Sequence, residues 1–214
     1  IFFYRLTAIN NCNQPVTVSN IASNIVLNAK QDEDNITLSW NPYREWFGTV
    51  QSNKIYVSLG EQMEERFNIA PADSTFSFSY AAIMYEVSRP EVCFMIKAYE
   101  GINPFRESGE SSSQVVCIPV VERITVPNVF LPGGNTVNNQ FSPVLSFTPI
   151  SYHLVITDMR RITLFETRDF LEKWDGSKSG EPLPQGAYLW LLETRTPSGK
   201  SITRTGTVSI IYGP

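Results

Sequence analysis

The 214-residue chain has one histidine, three cysteines and no run of about 18 apolar residues. With His153 alone and the cysteines scattered, no H-x-x-x-H or C-x-x-C ligand spacing exists, which argues against a zinc site. The missing apolar run argues against a membrane-spanning helix. There is no Gly-x-Ser-x-Gly elbow, and residues 131–136 lack the Lys-Ser/Thr pair of a phosphate loop. Asp and Glu are spread over turns, so no carboxylate pair can be argued. The chain is therefore expected to be no enzyme and to need no cofactor. No basic segment leads into an apolar one, so no signal peptide is visible. The opening IFFYRLTAIN has the pattern of a strand interior, and the chain is expected to be the C-terminal part of a longer polypeptide.

Charge of either sign is also sparse. The net charge is -4, with 13 acids and 8 bases in residues 1–120 against 8 acids and 9 bases in residues 121–214. The step near residue 120 suggests a module boundary. Neither part is basic enough for nucleic acid to be an expected partner.

What is present is β patterning, some of it repeated. Phe3-Tyr4-Arg5-Leu6-Thr7-Ala8 and Cys93-Phe94-Met95-Ile96-Lys97-Ala98 share alternating large apolar residues at an offset of 90 residues. Continued further, the same offset lays Ile25-Val26-Leu27 on Val115-Val116-Cys117. Residues 1–27 then read as the last two strands of one module and residues 28–120 as a complete second copy. Strands are expected at 36–40, 54–59, 75–80, 92–99 and 114–118, with no convincing helix between them, which points to an all-β sandwich. Leu38-Ser39-Trp40-Asn41-Pro42, the run at residues 4–10 and its counterpart at 94–100 resemble a fibronectin type III-like module, with Glu100 where Asn would be usual. Trp40 reads as a core tryptophan.

The repeat makes two cysteines informative. Where the first copy has Phe3 and Leu27, the second has Cys93 and Cys117. Residues opposed across an antiparallel ladder lie close enough for a disulfide, so a Cys93–Cys117 bridge and an oxidising compartment are expected. Cys12, in a polar turn, has no counterpart.

Residues 121–214 continue as a second small sandwich, with strands expected at 152–157, 162–166, 187–193 and 205–211. The stretch VPNVFLPGGNTVNNQF at 126–141 opens it. Its Val126-Pro127-Asn128-Val129-Phe130-Leu131-Pro132, then Trp174-Asp175-Gly176, Leu183-Pro184-Gln185-Gly186-Ala187-Tyr188 and Gly206 through Ile210 follow in the order and spacing of a known family. Residues 126–212 resemble the gliding motility-associated C-terminal domain of Bacteroidetes, the type B sorting signal of type IX secretion. The resemblance implies tandem immunoglobulin-like or fibronectin type III-like β-sandwiches and a secreted or cell-surface protein. Such a protein is exported through the periplasm and across the outer membrane, without inserting into the membrane itself. It also implies outer-membrane type IX partners, among them a PorP/SprF-like β-barrel protein and the translocon. Asn135, Thr136 and Asn139 replace two Asp and a Gly of the family's loop, so no metal is expected there. Met159-Arg160-Arg161 replaces the family's usual Arg-Trp-Gly and makes Arg160 and Arg161 candidate partner contacts. The alternative reading is an adhesin module that binds a polysaccharide or a host protein through exposed aromatics such as Trp46, Phe47 and Tyr85.

Overall fold

The computed structural model describes residues 1–19, 21–32, 34–104, 108–133 and 138–212. It is all-β, in two compact units: residues 1–83 with 91–119, and residues 84–90 with 120–214.

The first unit begins with β1 (Phe3–Tyr4), β2 (Thr7–Ile9), β3 (Pro15–Val18) and β4 (Ala22–Ser23), an antiparallel hairpin in which β1 pairs with β4 and β2 with β3. A two-sheet sandwich follows. One sheet has the order β5 (Leu27–Asp32), β6 (Asn35–Trp40), β9 (Thr75–Ser79). In the other, β10 (Glu91–Glu100) pairs on one side with β7 (Val50–Ser58), which pairs with β8 (Met63–Ile69). On its other side β10 pairs with both β11 (Glu110–Ser112) and β12 (Val116–Pro119). Period-2 alternation puts Ile36, Leu38 and Trp40 of β6, Ile55 and Val57 of β7, and Val92, Phe94, Ile96 and Ala98 of β10 on inner faces, all buried. Phe78 of β9 meets Phe94 of β10 edge-on across the sandwich, with ring centroids 6.2 Å apart. Trp40 is a core residue at 6% exposure.

Several strands of this unit, β3 and β4 among them, were not visible as alternation. β8 is an edge strand whose Glu64, Glu65 and Arg66 face water, and β11 has only three residues. β5 corrects the expected division at residue 27. Ile25 and Leu27, 2% and 1% exposed, belong to the sandwich core, and Leu27 pairs with Trp40. The repeat needs a second correction. Its first strand holds the offset of 90, but Val18 and Ser23 occupy the places of Ser112 and Cys117, each 94 residues on. The counterpart of Cys117 is thus Ser23, because the first hairpin's turn is four residues shorter (94 less 90). The disulfide itself joins Cys93 to Cys117, a directly opposed pair in the β10–β12 ladder, and Cys12 is free and exposed. Glu100 has a structural task. Its carboxylate accepts the Gly48 and Gly109 backbone N–H groups and the Asn103 amide, tying together two loops that flank β10. These donors, Gly48 foremost, hold its pKa below the usual carboxylate value.

The second unit is built on one five-stranded sheet, in the order β14 (Val129–Phe130), β21 (Ser201–Ile210), β20 (Gly186–Arg195), β16 (Ser151–Thr157), β17 (Thr163–Thr167). The β14–β21 pairing is parallel and the others are antiparallel. The opposing layer consists of short pieces: β13 (Ile124–Thr125) with β15 (Val144–Leu145), β18 (Ser177–Lys178) with β19 (Glu181–Pro182), and a bridge between Phe141 and Trp174. The core between the layers includes Phe130, Phe141, Phe147, Leu154, Ile156, Trp174, Leu192 and Ile210. Residues 84–90 fall in this unit, where the Tyr85 and Val87 carbonyls accept bonds from Thr148.

Candidate functional site

The family-like motifs are far apart in sequence but meet at one buried corner. Backbone bonds lock β14 beside the last strand: Ser209 N donates to Asn128 O (2.9 Å) and Ile211 N to Phe130 O (3.2 Å). That pairing drives Phe130, 1% exposed, against fully buried Trp174, with centroids 5.3 Å apart. Tyr188 meets the other side of the indole at 5.5 Å in a T-shape. The Trp174 backbone exchanges two hydrogen bonds with Phe141, and its Nε1 donates to the Ser177 carbonyl at 2.9 Å. The polar ring nitrogen of a wholly buried indole is thus satisfied.

The turn after Trp174 requires glycine. Gly176 sits at φ +82°, and a Cβ there would lie 2.6 Å from Pro132 Cγ, 3.2 Å from Phe130 and 3.3 Å from Ile210. The Pro132 end of the opening motif therefore closes over the Trp-Asp-Gly turn. Asp175, exposed, accepts both the Ser177 hydroxyl (2.7 Å) and its backbone N–H (2.9 Å). The Ser177 hydroxyl, ahead of the backbone donors, lowers its pKa. Tyr188 Oη donates to the Pro184 carbonyl at 2.7 Å, fastening the Leu-Pro turn, and Gly186 begins β20. Gly206 faces Trp190 across the ladder, and a Cβ there would stand 2.6 Å from the indole.

These motif residues are mostly interior or bound to their own backbone. Phe130, Trp174 and Tyr188 are buried, and Pro127 and Pro132 are half-buried. The motif describes how the unit folds, so a partner would have to read other atoms. The outer face of the sheet provides some. A shallow groove there is lined by Val155, Leu189, Leu191, Thr205 and Arg161. None of these except Arg161 was singled out from sequence. The signal was present as the alternate positions of β16 and β20, read only for their buried partners. Arg160 and Arg161 lie in a turn where Asp158 Oδ1 accepts the N–H groups of Arg160 (2.9 Å) and Ile162 (2.8 Å). Arg161 is at φ +66°. Neither guanidinium has an ion-pair partner among the described residues. Leu131 N donates to Asn138 O at 2.8 Å across the neighbouring loop, whose residues 134–137, including Asn135 and Thr136, lie outside the described residues.

His153, on the outer face, is held between Glu166 (2.8 Å) and Glu193 (3.2 Å), and Glu166 above all raises its pKa. The three ligand-type side chains that cluster among the described residues are Glu91, Cys93 and Cys117, whose sulfurs are bonded to each other. Trp46 lies against Tyr43 at 4.0 Å, Phe47 is 68% exposed, and Tyr85 contacts Phe170 within the second unit. No helix among the described residues is long and apolar enough to cross a membrane.

No protein-family model and no curated protein sequence matches the chain. Among solved structures, it is similar to a Ca²⁺-stabilised adhesin that helps an Antarctic bacterium bind ice, at 9% identity and a TM-score of 0.29, over 98% of this chain and 56% of that one. Dimeric latent PorU from Porphyromonas gingivalis matches at 12% identity and 0.28, over 90% and 20% of the two chains. The BSP domain of a biofilm-associated protein matches at 16% and 0.24, over 89% and 30%. The chain thus spans a minor part of the second and third and about half of the first. At these scores the likenesses assign no function.

Proposed function

We propose that residues 121–214 are a folded export address of a secreted or cell-surface protein, read by outer-membrane components of type IX secretion. The observation that supports this reading is the convergence of the family-like motifs. Phe130, Pro132, Trp174, Gly176 and Tyr188, spread over 59 positions (130 to 188), interlock at one corner. Residues in the family's order that also depend on each other in space are what a shared fold requires. Because this corner is buried, recognition falls to the surface, with the outer sheet face and the Arg160-Arg161 turn as the contact. An adhesin role has less support, because Trp46 lies against Tyr43 and Tyr85 against Phe170, each within its own unit.

The test is a reporter with a periplasmic signal, fused ahead of the full chain in a bacterium that uses type IX secretion. The fusion should reach the cell surface, and a version ending at Val120 should stay in the periplasm. Equal export of both would refute the proposal. Replacing Arg160 and Arg161 together by Ala should reduce export and leave the fold intact.

A further inference from the structure

The hairpin of residues 1–23 is apolar yet bare. Phe2, Phe3, Tyr4, Leu6 and Val16 are 57–77% exposed. An isolated two-stranded hairpin with such side chains has little reason to hold its shape in water. Its geometry nevertheless repeats that of β10 with β11 and β12 in detail. Leu6 N donates to Ser19 Oγ (2.9 Å), and Ser19 N donates to Leu6 O (2.8 Å). In the second hairpin Ile96 N donates to Ser113 Oγ (3.0 Å) and Ser113 N to Ile96 O (2.8 Å). The flanking pairs correspond as well: Thr7 with Val18 matches Lys97 with Ser112, and Tyr4 with Ala22 matches Phe94 with Val116.

The second hairpin shows what such a unit needs. Its Val92, Phe94, Ile96 and Ala98 are at most 1% exposed beneath the opposing sheet. The other edge of β10 is paired along its length with β7, from Cys93 opposite Ser58 to Glu100 opposite Val50. The equivalent positions in the first hairpin are Phe2, Tyr4, Leu6 and Ala8, together with the edge of β1 and β2 that is unpaired among the described residues.

We infer that the β1–β4 hairpin is a docking surface for the remainder of a further sandwich, one built like residues 25–90 of this chain. That partner supplies an extended strand running antiparallel along the β1–β2 edge, as β7 does for β10. It also supplies an apolar sheet over Phe2, Tyr4, Leu6 and Ala8. Edge pairing between two copies of the hairpin would satisfy backbone groups but leave that apolar face in water, so a second copy is the poorer occupant.

The chain itself provides the probe. A second copy of residues 25–90 is placed directly ahead of Ile1 in the 214-residue chain, as residue 90 precedes Glu91. The Thr7–Ile9 amides should then exchange about tenfold or more slowly than in the chain alone. Binding of a hydrophobic dye should fall, and Leu6→Asp should reverse both effects. A companion chimaera carries Phe2→Val, Tyr4→Phe and Leu6→Ile, the residues found at 92, 94 and 96. Closure of the companion alone would mean that the native hairpin does not fit such a partner, and the inference fails. Closure of neither also overturns it. So does a concentration-dependent dimer that protects the hairpin of the unaltered chain.

Discussion

In the N-terminal unit, two sheets cover each other and a disulfide ties β12 to β10, whereas in the C-terminal unit a single five-stranded sheet faces short strand pairs and loops. Backbone ladders supply most of the order in the first. Among the described residues the second has no continuous opposing sheet, and side chains take over its role. Trp174 bridges to Phe141 through its backbone and touches Phe130 and Tyr188 with its ring. Where strands are too short to hold a layer, a large aromatic with satisfied polar atoms fixes it in place. The comparison implies that the C-terminal unit concentrates its stability in a few residues and the N-terminal unit distributes it.

The largest expected effect tests that concentration. Trp174→Ala should cost about 3–5 kcal/mol, a large part of the roughly 5–15 kcal/mol that holds a domain folded. Denaturant unfolding followed by signals from each unit should show the C-terminal transition lost or moved far down. The N-terminal transition, whose core shares no residue with that cluster, should stay in place. A loss below about 1 kcal/mol would show that the loop layer holds without its anchor.

Reduction of Cys93–Cys117 should have the next largest effect, confined to the other unit. The bridge closes a loop with a sequence separation of 24, which the chain-entropy account values at about 3 kcal/mol. Much of that loop is already paired through β10, β11 and β12, so a smaller loss would measure how far the ladder duplicates the disulfide. Denaturation with and without reductant, read against Cys93→Ala with Cys117→Val, checks this.

Gly206→Ala sharpens the comparison at smaller scale. The added methyl would press on the Trp190 indole, 2.6 Å from its nearest atom, so a cost of about 1–3 kcal/mol is expected. Gly199→Ala, at a hairpin turn with φ +85° and no close neighbour nearer than 3.7 Å, separates backbone strain from crowding.

Legibility in the sequence followed strand length. β6, β10, β16, β20 and β21 carry alternation over several residues because one face is buried, and their existence and type could be read directly. β13, β14, β15, β18 and β19 have two residues each, too few to express a period. The same limit misplaced the repeat. Its first strand alternates visibly, but the shortened turn shifted the second strand by four residues, and the ladder pairs together with the Ser19 and Ser113 bonds reveal the true register. The Trp-Asp-Gly turn and the Pro132 loop were both legible as motifs. That one closes over the other was not, because a contact across 44 residues (132 to 176) leaves no local signature.

The smallest expected effect concerns His153, where the C-terminal sheet uses charge across its outer face. His153 on β16 reaches Glu166 on β17 and Glu193 on β20, so a protonated ring donates to both neighbours, whereas a neutral ring can donate to one. Glu166 first and Glu193 second raise its pKa, while partial burial and nearby Arg168 oppose them. A raised folded pKa means that the stabilisation is fully present below the unfolded value of about 6.5 and is lost as pH rises through the folded value. Both glutamates are about half exposed, at 52% and 53%, so solvent screening limits the effect to a few tenths of a kcal/mol, at most about 1 kcal/mol. Stability of the C-terminal unit should therefore decline slightly as pH rises above about 6.5, and salt should flatten the slope. His153→Gln, which keeps one hydrogen bond and cannot titrate, should abolish that slope. A slope that survives in His153→Gln would assign the pH dependence to other groups and leave the three-strand clamp without energetic weight.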